Sequence, residues 1–374
     1  MKLEISDAKT LSIRILKGFG FSKEEAELST ENFIEGELTG KKSHGLVRIP
    51  WLKKKIETGS ISLDKEEIEI AKETPVSILI DGKKKTGFYV VNKALDLGIE
   101  KVSKSGICVV GTTNTSEASG LIGLYARKAA EKDLIFIGFN NSPSAVAPYG
   151  SSEKMFGTNP FTVGIPYNNS AVILDFATSK GNVGDVLKAI QEGETLPKKT
   201  YLDKNGNYTT DPTLVFSQNV IGALLPIAGH KGSGLGFIVE LLGGALTSSR
   251  VGKTIEGGWG SLMILIDPNI IRDLEDFKSD VQAAIGELKS SRKMEGFEEI
   301  FYPGEQSQRR RQQALEQGYI EIDDKLYSQL MDLSEEFSAT MDDLEQNISR
   351  KIDAEKLYSA ENTEDFVKIL EDED

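Results

Sequence analysis

Up to Glu57 the apolar positions recur at helical spacing. Leu11, Ile15 and Phe19, and then Leu28, Phe33 and Leu38, stack on successive turns, and Ser22 followed by Glu25 makes a capping box. The chain is therefore expected to open with helices, broken by KKSHGLVRIP at 41–50 and resumed in an amphipathic stretch at 51–57. From Val76 the texture changes. VSILIDG predicts a strand ending in a turn, and GFYVVNKALDLGIEKVSKSG a helix that Gly106 closes. ICVVGTTN, LIFIGFNNS, AVILDFATS and GSLMILIDP are apolar, β-branched and bounded by Gly, Asn, Asp or Pro, which predicts buried strands. Helices are expected between them at 121–132 and 234–246. Asn-Gly turn chemistry within 193–212 predicts a loop or small hairpin, and from Leu274 the chain is again helical and charged.

Helices at both ends of a sheet-rich middle predict an α/β fold. Residues 1–74 with 274–337 are expected to form one helical lobe, and 75–273 a mixed-sheet cofactor-binding domain. Residues 338–374 hold twelve Asp and Glu against four Lys and Arg, −8 of a net −14, and read as an acidic, helix-prone, partly disordered extension. Since the charge lies mainly in that tail, it says little about a site. A chain of this sign repels phosphate backbones and anionic headgroups, so neither nucleic acid nor membrane is expected as a partner. No apolar run approaches the ~20 residues needed to cross a bilayer, and the first residues, alternating charged and apolar, carry no secretion signal. The single cysteine, Cys108, sits in the apolar GICVV and reads as core packing more readily than as a reactive thiol. It offers no disulfide and no reason for an oxidising compartment, so a soluble, cytoplasmic protein is expected.

Proton chemistry near neutral pH points to histidine, and the chain has two. His44 lies in Ser43-His44-Gly45 with Arg48 four residues on. On a helix the two share a face, where the guanidinium fork can bind a carboxylate while the imidazole exchanges a proton with an adjacent oxygen. A helix-start histidine with a solvent-facing arginine is the plainer alternative. His230 lies in AGHKGSGLG, where glycines flank His230-Lys231 just before an apolar stretch. Backbone N–H groups at such a helix start, with Lys231 beside them, suit phosphate or pyrophosphate; glycines that only permit close packing fit equally. Neither a GxGxxG strand-loop-helix nor a P-loop is present. Asn159 in GTNP and Asp175 in LDFATS are polar residues embedded in apolar runs and must find partners, internal or in a ligand. Two distant histidines and one cysteine make no compact metal cluster.

SHGLVRIP, GTNPF, VILDFATS, the GNYTTDP loop, LLPIAGHKGSGLGFIVELLGGALT, LMILIDP and FYPGE followed by RRR occur in the order and spacing of one family across about Leu3 to Phe337. The chain resembles the malate/L-lactate dehydrogenase family, which includes ureidoglycolate, sulfolactate and diketogulonate dehydrogenases and cyclic imine reductases. The resemblance implies a non-Rossmann mixed sheet with helical terminal segments, a homodimer with its active site near the subunit interface, and NAD or NADP as cofactor. It also implies hydride transfer to or from a small 2-hydroxy or 2-oxo carboxylic acid. His44 is then the acid/base, Ser43 and Arg48 bind the substrate, and Asn159, Asp175, Phe176, Thr178, Ser179, His230, Lys231, Gly232, Gly304 and Glu305 match cofactor-contacting positions. Two positions depart from the pattern. Ala118 stands where the family has a second histidine, and Phe88 where it commonly has glutamine. These leave open a cyclic imine carboxylate as substrate, a nucleotide-binding member with altered catalysis, or an interaction protein whose tail recruits a basic partner.

Overall fold

The opening helices form where the spacing puts them. In the computed structural model, which describes residues 1–337 apart from 65, 117, 169, 218, 219, 250 and 255–257, a short strand β1 (Lys2–Glu4) leads into α1 (Ile5–Gly18) and α2 (Lys23–Leu38). The reading of an acidic extension at 338–374 concerns residues outside those described. Both bonds of the Ser22 capping box are present. A single 3₁₀ turn, Lys42–His44, then separates α2 from α3 (Arg48–Glu57).

The middle of the chain builds a seven-stranded sheet. Six of its strands are β2 (Glu69–Thr74), β3 (Ser77–Asp81), β4 (Ile107–Thr115), β5 (Ile135–Asn140), β6 (Phe161–Tyr167) and β7 (Ser170–Phe176). Helix α4 (Gly87–Ser105) crosses from β3 to β4 and ends on left-handed Gly106, α5 (Ile122–Ala130) joins β4 to β5, and α6 (Val183–Glu192) follows β7. Next come β8 (Tyr201–Leu202) and β9 (Tyr208–Thr209), the small hairpin, then α7 (Pro212–Val215), β10 (Phe216–Ser217), β11 (Val220–Ile221) and β12 (Ala223–Leu224). Helix α8 (His230–Glu240) runs on into a π-helical turn, Leu241–Ala245, before β13 (Trp259–Ile266). Then come α9 (Leu274–Ser290), α10 (Glu305–Gln317) and β14 (Tyr319–Glu321), and residues 324–337 are again helical.

Strand order in the large sheet is β2-β3-β4-β13-β5-β6-β7. Only β3 and β4 pair in parallel; every other neighbour is antiparallel. A doubly wound nucleotide-binding sheet is mostly parallel, so this is a different, mixed topology. The two ends of the chain meet: β1 pairs with β14, Leu3 opposite Ile320. One apolar cluster joins Leu16, Phe33 and Leu52 to Ile320, Ile322 and Leu330. Helix α10 packs on α2, with Arg311 bonded to buried Glu35, whereas α9 lies against β6 of the sheet.

Three features differ from the sequence reading. Helix α8 begins at His230 rather than 234, because the glycine-rich start is held by tertiary packing that local propensity does not report. Strand β2, EIAKET, is polar because it is the sheet's exposed edge, so no apolar run marked it. His44 and Arg48 do not share a helix face, since His44 closes a 3₁₀ turn and Arg48 starts the next helix.

Candidate active site

The 3₁₀ turn that carries His44 is fixed from both sides. Its Lys41 carbonyl accepts the His44 N–H at 2.8 Å, and Glu37 of α2 accepts the Leu46 N–H at 2.9 Å. Ser43 Oγ lies 3.1 Å from His44 Nδ1, and Arg48 Nε donates to the Ser43 carbonyl at 2.8 Å. The three residues therefore form one group although they are not on one helix. Arg48 also sits over the Trp51 ring, 5.2 Å from its centroid. Burial pushes the His44 imidazole down to about 4, with Arg48 adding to the effect and Asp175 opposing it. Desolvation is the larger cause.

Asp175 faces this turn from β7. Its Oδ2 takes the Lys41 ammonium at 3.1 Å and the Gly123 N–H at the start of α5 at 3.0 Å, and its Oδ1 takes the Thr162 hydroxyl at 2.9 Å. The first turn of α6 completes the enclosure, with the position of a Gly184 Cβ 3.5 Å from Ser43 Cβ. Lys41, Glu37 and Thr162 were missed in the sequence. Lys41 is three residues from His44, yet its partner is 134 positions away, and no local pattern reports such a pair.

Beyond Asp175 the chain runs toward α8. Phe176 packs edge-on against Phe161, Thr178 donates to the Thr158 and Asn159 carbonyls, and Ser179 donates to the Gly181 carbonyl and bridges Pro226. Thr178 also lies against Gly236 of α8. Residues 176–179 thus join the strand that carries Asp175 to the flank of α8. The helix starts on Gly229, which has φ 61° and no capping side chain. His230 and Lys231 are exposed there, His230 edge-on to Tyr149 at 5.9 Å, and among the described residues no carboxylate pairs with Lys231. Gly232 is a packing glycine: a methyl on it would overlap the Ile227 carbonyl.

Two expected cofactor contacts have other partners. Asn159 is fully buried, its amide donating to Glu240 Oε2 at 2.7 Å and the Gly236 carbonyl at 2.9 Å and accepting from Ser142 N–H at 3.2 Å. Glu305 is buried as well, gripped by Lys289 and Arg309. Gly304 lies against Ile173 where the adjacent Pro303 carbonyl bonds the outer edge of β7. These side chains are braces turned inward, because a buried polar group satisfies itself within the protein when it can. Ala118 and Phe88 are both buried in the terminal apolar cluster, Phe88 edge-on to Phe33 at 4.9 Å. Among the described residues no group of three His, Cys, Asp or Glu can hold a metal, and no helix is long and apolar enough to cross a membrane.

The mixed sheet thus places the Asp175 carboxylate of β7 close to the His44 imidazole and leads on to the glycine-rich start of α8, an α/β arrangement outside the doubly wound class. The chain belongs to the malate/L-lactate dehydrogenase family, whose model matches residues 3–331. It is 34% identical over 346 residues to the malate/(S)-sulfolactate dehydrogenase of Methanothermus fervidus, covering 90% of this chain and 98% of that one. Among solved structures, sulfolactate dehydrogenase from Methanocaldococcus jannaschii superposes with a TM-score of 0.80 at 34% identity, over 90% and 98% of the two chains. The Δ1-piperideine-2-carboxylate reductase of Pseudomonas syringae does so with a TM-score of 0.77 at 26% identity, over 89% and 99%. More distant relatives include dehydrogenases named for NAD(+) and for NADP(+).

Proposed function

We propose that this protein is an NAD(P)-dependent oxidoreductase that interconverts a small 2-hydroxy acid and its 2-oxo acid. The observation that carries this reading is the His44 group: an imidazole kept neutral by burial, with an arginine anchored beside it. The residues at the start of α8 fit a dinucleotide, since uncapped N–H groups, exposed Lys231 and the open space at Gly234 accept a phosphate without displacing a side chain. His230, Lys231 and the 176–179 segment would hold it. When bound, its nicotinamide supplies or takes the hydride.

The chain's own residues supply the rest. Arg48 binds the substrate carboxylate, which fixes the neighbouring carbon and its oxygen near His44. In oxidation the neutral imidazole takes the hydroxyl proton; in reduction the imidazolium returns it to the forming alkoxide. Arg48 couples binding to this step. Its charge helps to hold the imidazole neutral in the free protein, and a bound carboxylate cancels that charge and raises the histidine's proton affinity. Ser43, on Nδ1, holds the ring's orientation.

A second reading is a cyclic imine carboxylate, supported by the likeness to the Δ1-piperideine-2-carboxylate reductase and by Ala118 standing where the resemblance places a second histidine. A homodimer is part of the proposal, supported by the exposed apolar face of Phe237, Ile238, Leu241 and Leu246. So are a cytoplasmic location and one helical lobe built from both termini. The test is direct. NADH and NADPH fluorescence reports binding, and a panel of 2-oxo acids and cyclic imine carboxylates reports turnover. No oxidation of either cofactor by any member of the panel would sink the reading.

A further inference from the structure

We propose that Lys41 is a positioning residue for the His44 imidazole: it holds the Asp175 carboxylate and the backbone of the His44 turn at once, and so fixes the charge that faces the ring. The proposal rests on the reading of His44 as the proton-exchange group. Lys41 precedes the 3₁₀ turn, gives its own N–H to the Gly36 carbonyl at 2.8 Å and takes the His44 N–H on its carbonyl at 2.8 Å. Its ammonium lies 3.1 Å from Asp175 Oδ2. The Asp175 side chain is only 10% exposed and the Lys41 side chain 35%, so water screens this pair less than an open surface pair. The other two donors to Asp175, Gly123 N–H and the Thr162 hydroxyl, are neutral, and Lys41 supplies the cation of this set.

Further charges around the ring come from every element packed on the turn. Arg48 at the start of α3 holds the Ser43 carbonyl, and Glu37 on α2 holds the Leu46 N–H. Lys42 reaches away to the Glu321 carbonyl on β14, Asp185 on α6 accepts from Asn182, and Arg310 on α10 lies against Gly40. Among these, Lys41 is the residue that touches both the histidine's turn and the carboxylate facing it. With the ammonium present, Asp175 is balanced and the ring remains a neutral base. Without it a positive neighbour is lost and an unbalanced carboxylate faces the imidazole. Both changes favour the imidazolium, so their effects add.

Having two histidines, the chain lends itself to a direct measurement. NMR of imidazole-labelled protein follows the His44 titration without substrate or cofactor, and the His230→Gln variant assigns the other signal. Lys41→Met and Lys41→Gln are each expected to raise the His44 midpoint by about one pH unit, and Lys41→Arg to leave it within a few tenths. In Lys41→Met the further change Asp175→Asn should bring the midpoint back toward the wild-type value. Turnover should follow, the acid limb of hydroxy acid oxidation moving up with the midpoint. A midpoint unmoved in both neutral variants, or turnover lowered equally at every pH, overturns the proposal. A midpoint that moves in a protein that turns over no hydroxy acid upholds the positioning role and overturns the proposed function instead.

Discussion

The two histidines of this chain occupy opposite kinds of surroundings. His44 is half-buried between a 3₁₀ turn, two helices and a strand, with Arg48, Lys41 and Asp175 close enough to alter its charge. His230 is exposed at the first position of α8, with a tyrosine ring beside it and backbone N–H groups around it. On the proposed reading, identical side chains are thereby fitted for different work. An enclosed imidazole exchanges its proton with whatever is bound against it, because its neighbours set its proton affinity. A ring on an exposed helix start contributes contact area and donors to a bound anion. Which histidine does proton chemistry is thus a question of burial and neighbours.

The largest effect should come from removing the enclosed ring. His44→Ala is expected to lower turnover roughly 10²- to 10⁴-fold while the cofactor dissociation constant changes little. The pH profiles sharpen the point. For hydroxy acid oxidation the acid limb of kcat/KM reports the free protein, where His44 titrates near 4, and the limb of kcat reports the complex, where the substrate carboxylate offsets Arg48. The kcat limb should lie at higher pH. Coincident limbs would mean that Arg48 does not hold the carboxylate.

Enclosure of His44 also has a cost in stability. Because the folded ring titrates near 4 and an unfolded one near 6.5, the unfolded chain takes up the proton first as pH falls. The associated stability is complete above about pH 6.5 and is lost progressively on descent to about 4, a loss of about 3 kcal/mol from this group. Urea unfolding from pH 7 to 4 should show that slope in the wild type and a shallower one in His44→Gln. Parallel curves would show that the ring is less enclosed than it stands here.

How these surroundings arise was only half legible in the sequence. The Ser22 capping box, the Gly106 stop and the apolar strands announce themselves, because each depends on neighbours within a few residues. The SHG motif and GHKG stood out for the same reason. What encloses His44 did not: the Lys41 to Asp175 pair joins residues 134 apart, and the start of α8 is set by the Ile227 carbonyl and the Thr178 side chain. Asn159 was legible as a buried polar group needing partners, but its partner Glu240 is 81 residues on, so a ligand and an internal bond could not be told apart.

A smaller effect is expected at the exposed site. Lys231→Ala should weaken NAD(P) binding by about 1–3 kcal/mol, the range for a charge-assisted hydrogen bond, and leave the chemical step of the saturated enzyme almost unchanged. A fall in turnover with an unaltered dissociation constant would place Lys231 in the proton-exchange group and blur the distinction between the two sites.

The smallest effect, and the most exacting for the comparison, belongs to His230 itself. His230→Gln keeps a side-chain donor at the first position of α8 and keeps the backbone N–H groups there, and it removes only the imidazole ring and its edge contact with Tyr149. A contact of the exposed ring edge with the bound cofactor would be worth about 0.5–1 kcal/mol, so the cofactor dissociation constant should rise only about two- to fivefold. The pH dependence of kcat should be superimposable on the wild type, since no proton passes through this ring. If instead the profile loses a limb in His230→Gln and keeps it in His44→Gln, the roles of the two histidines are reversed, and an exposed ring at a helix start is performing the chemistry that enclosure was taken to require.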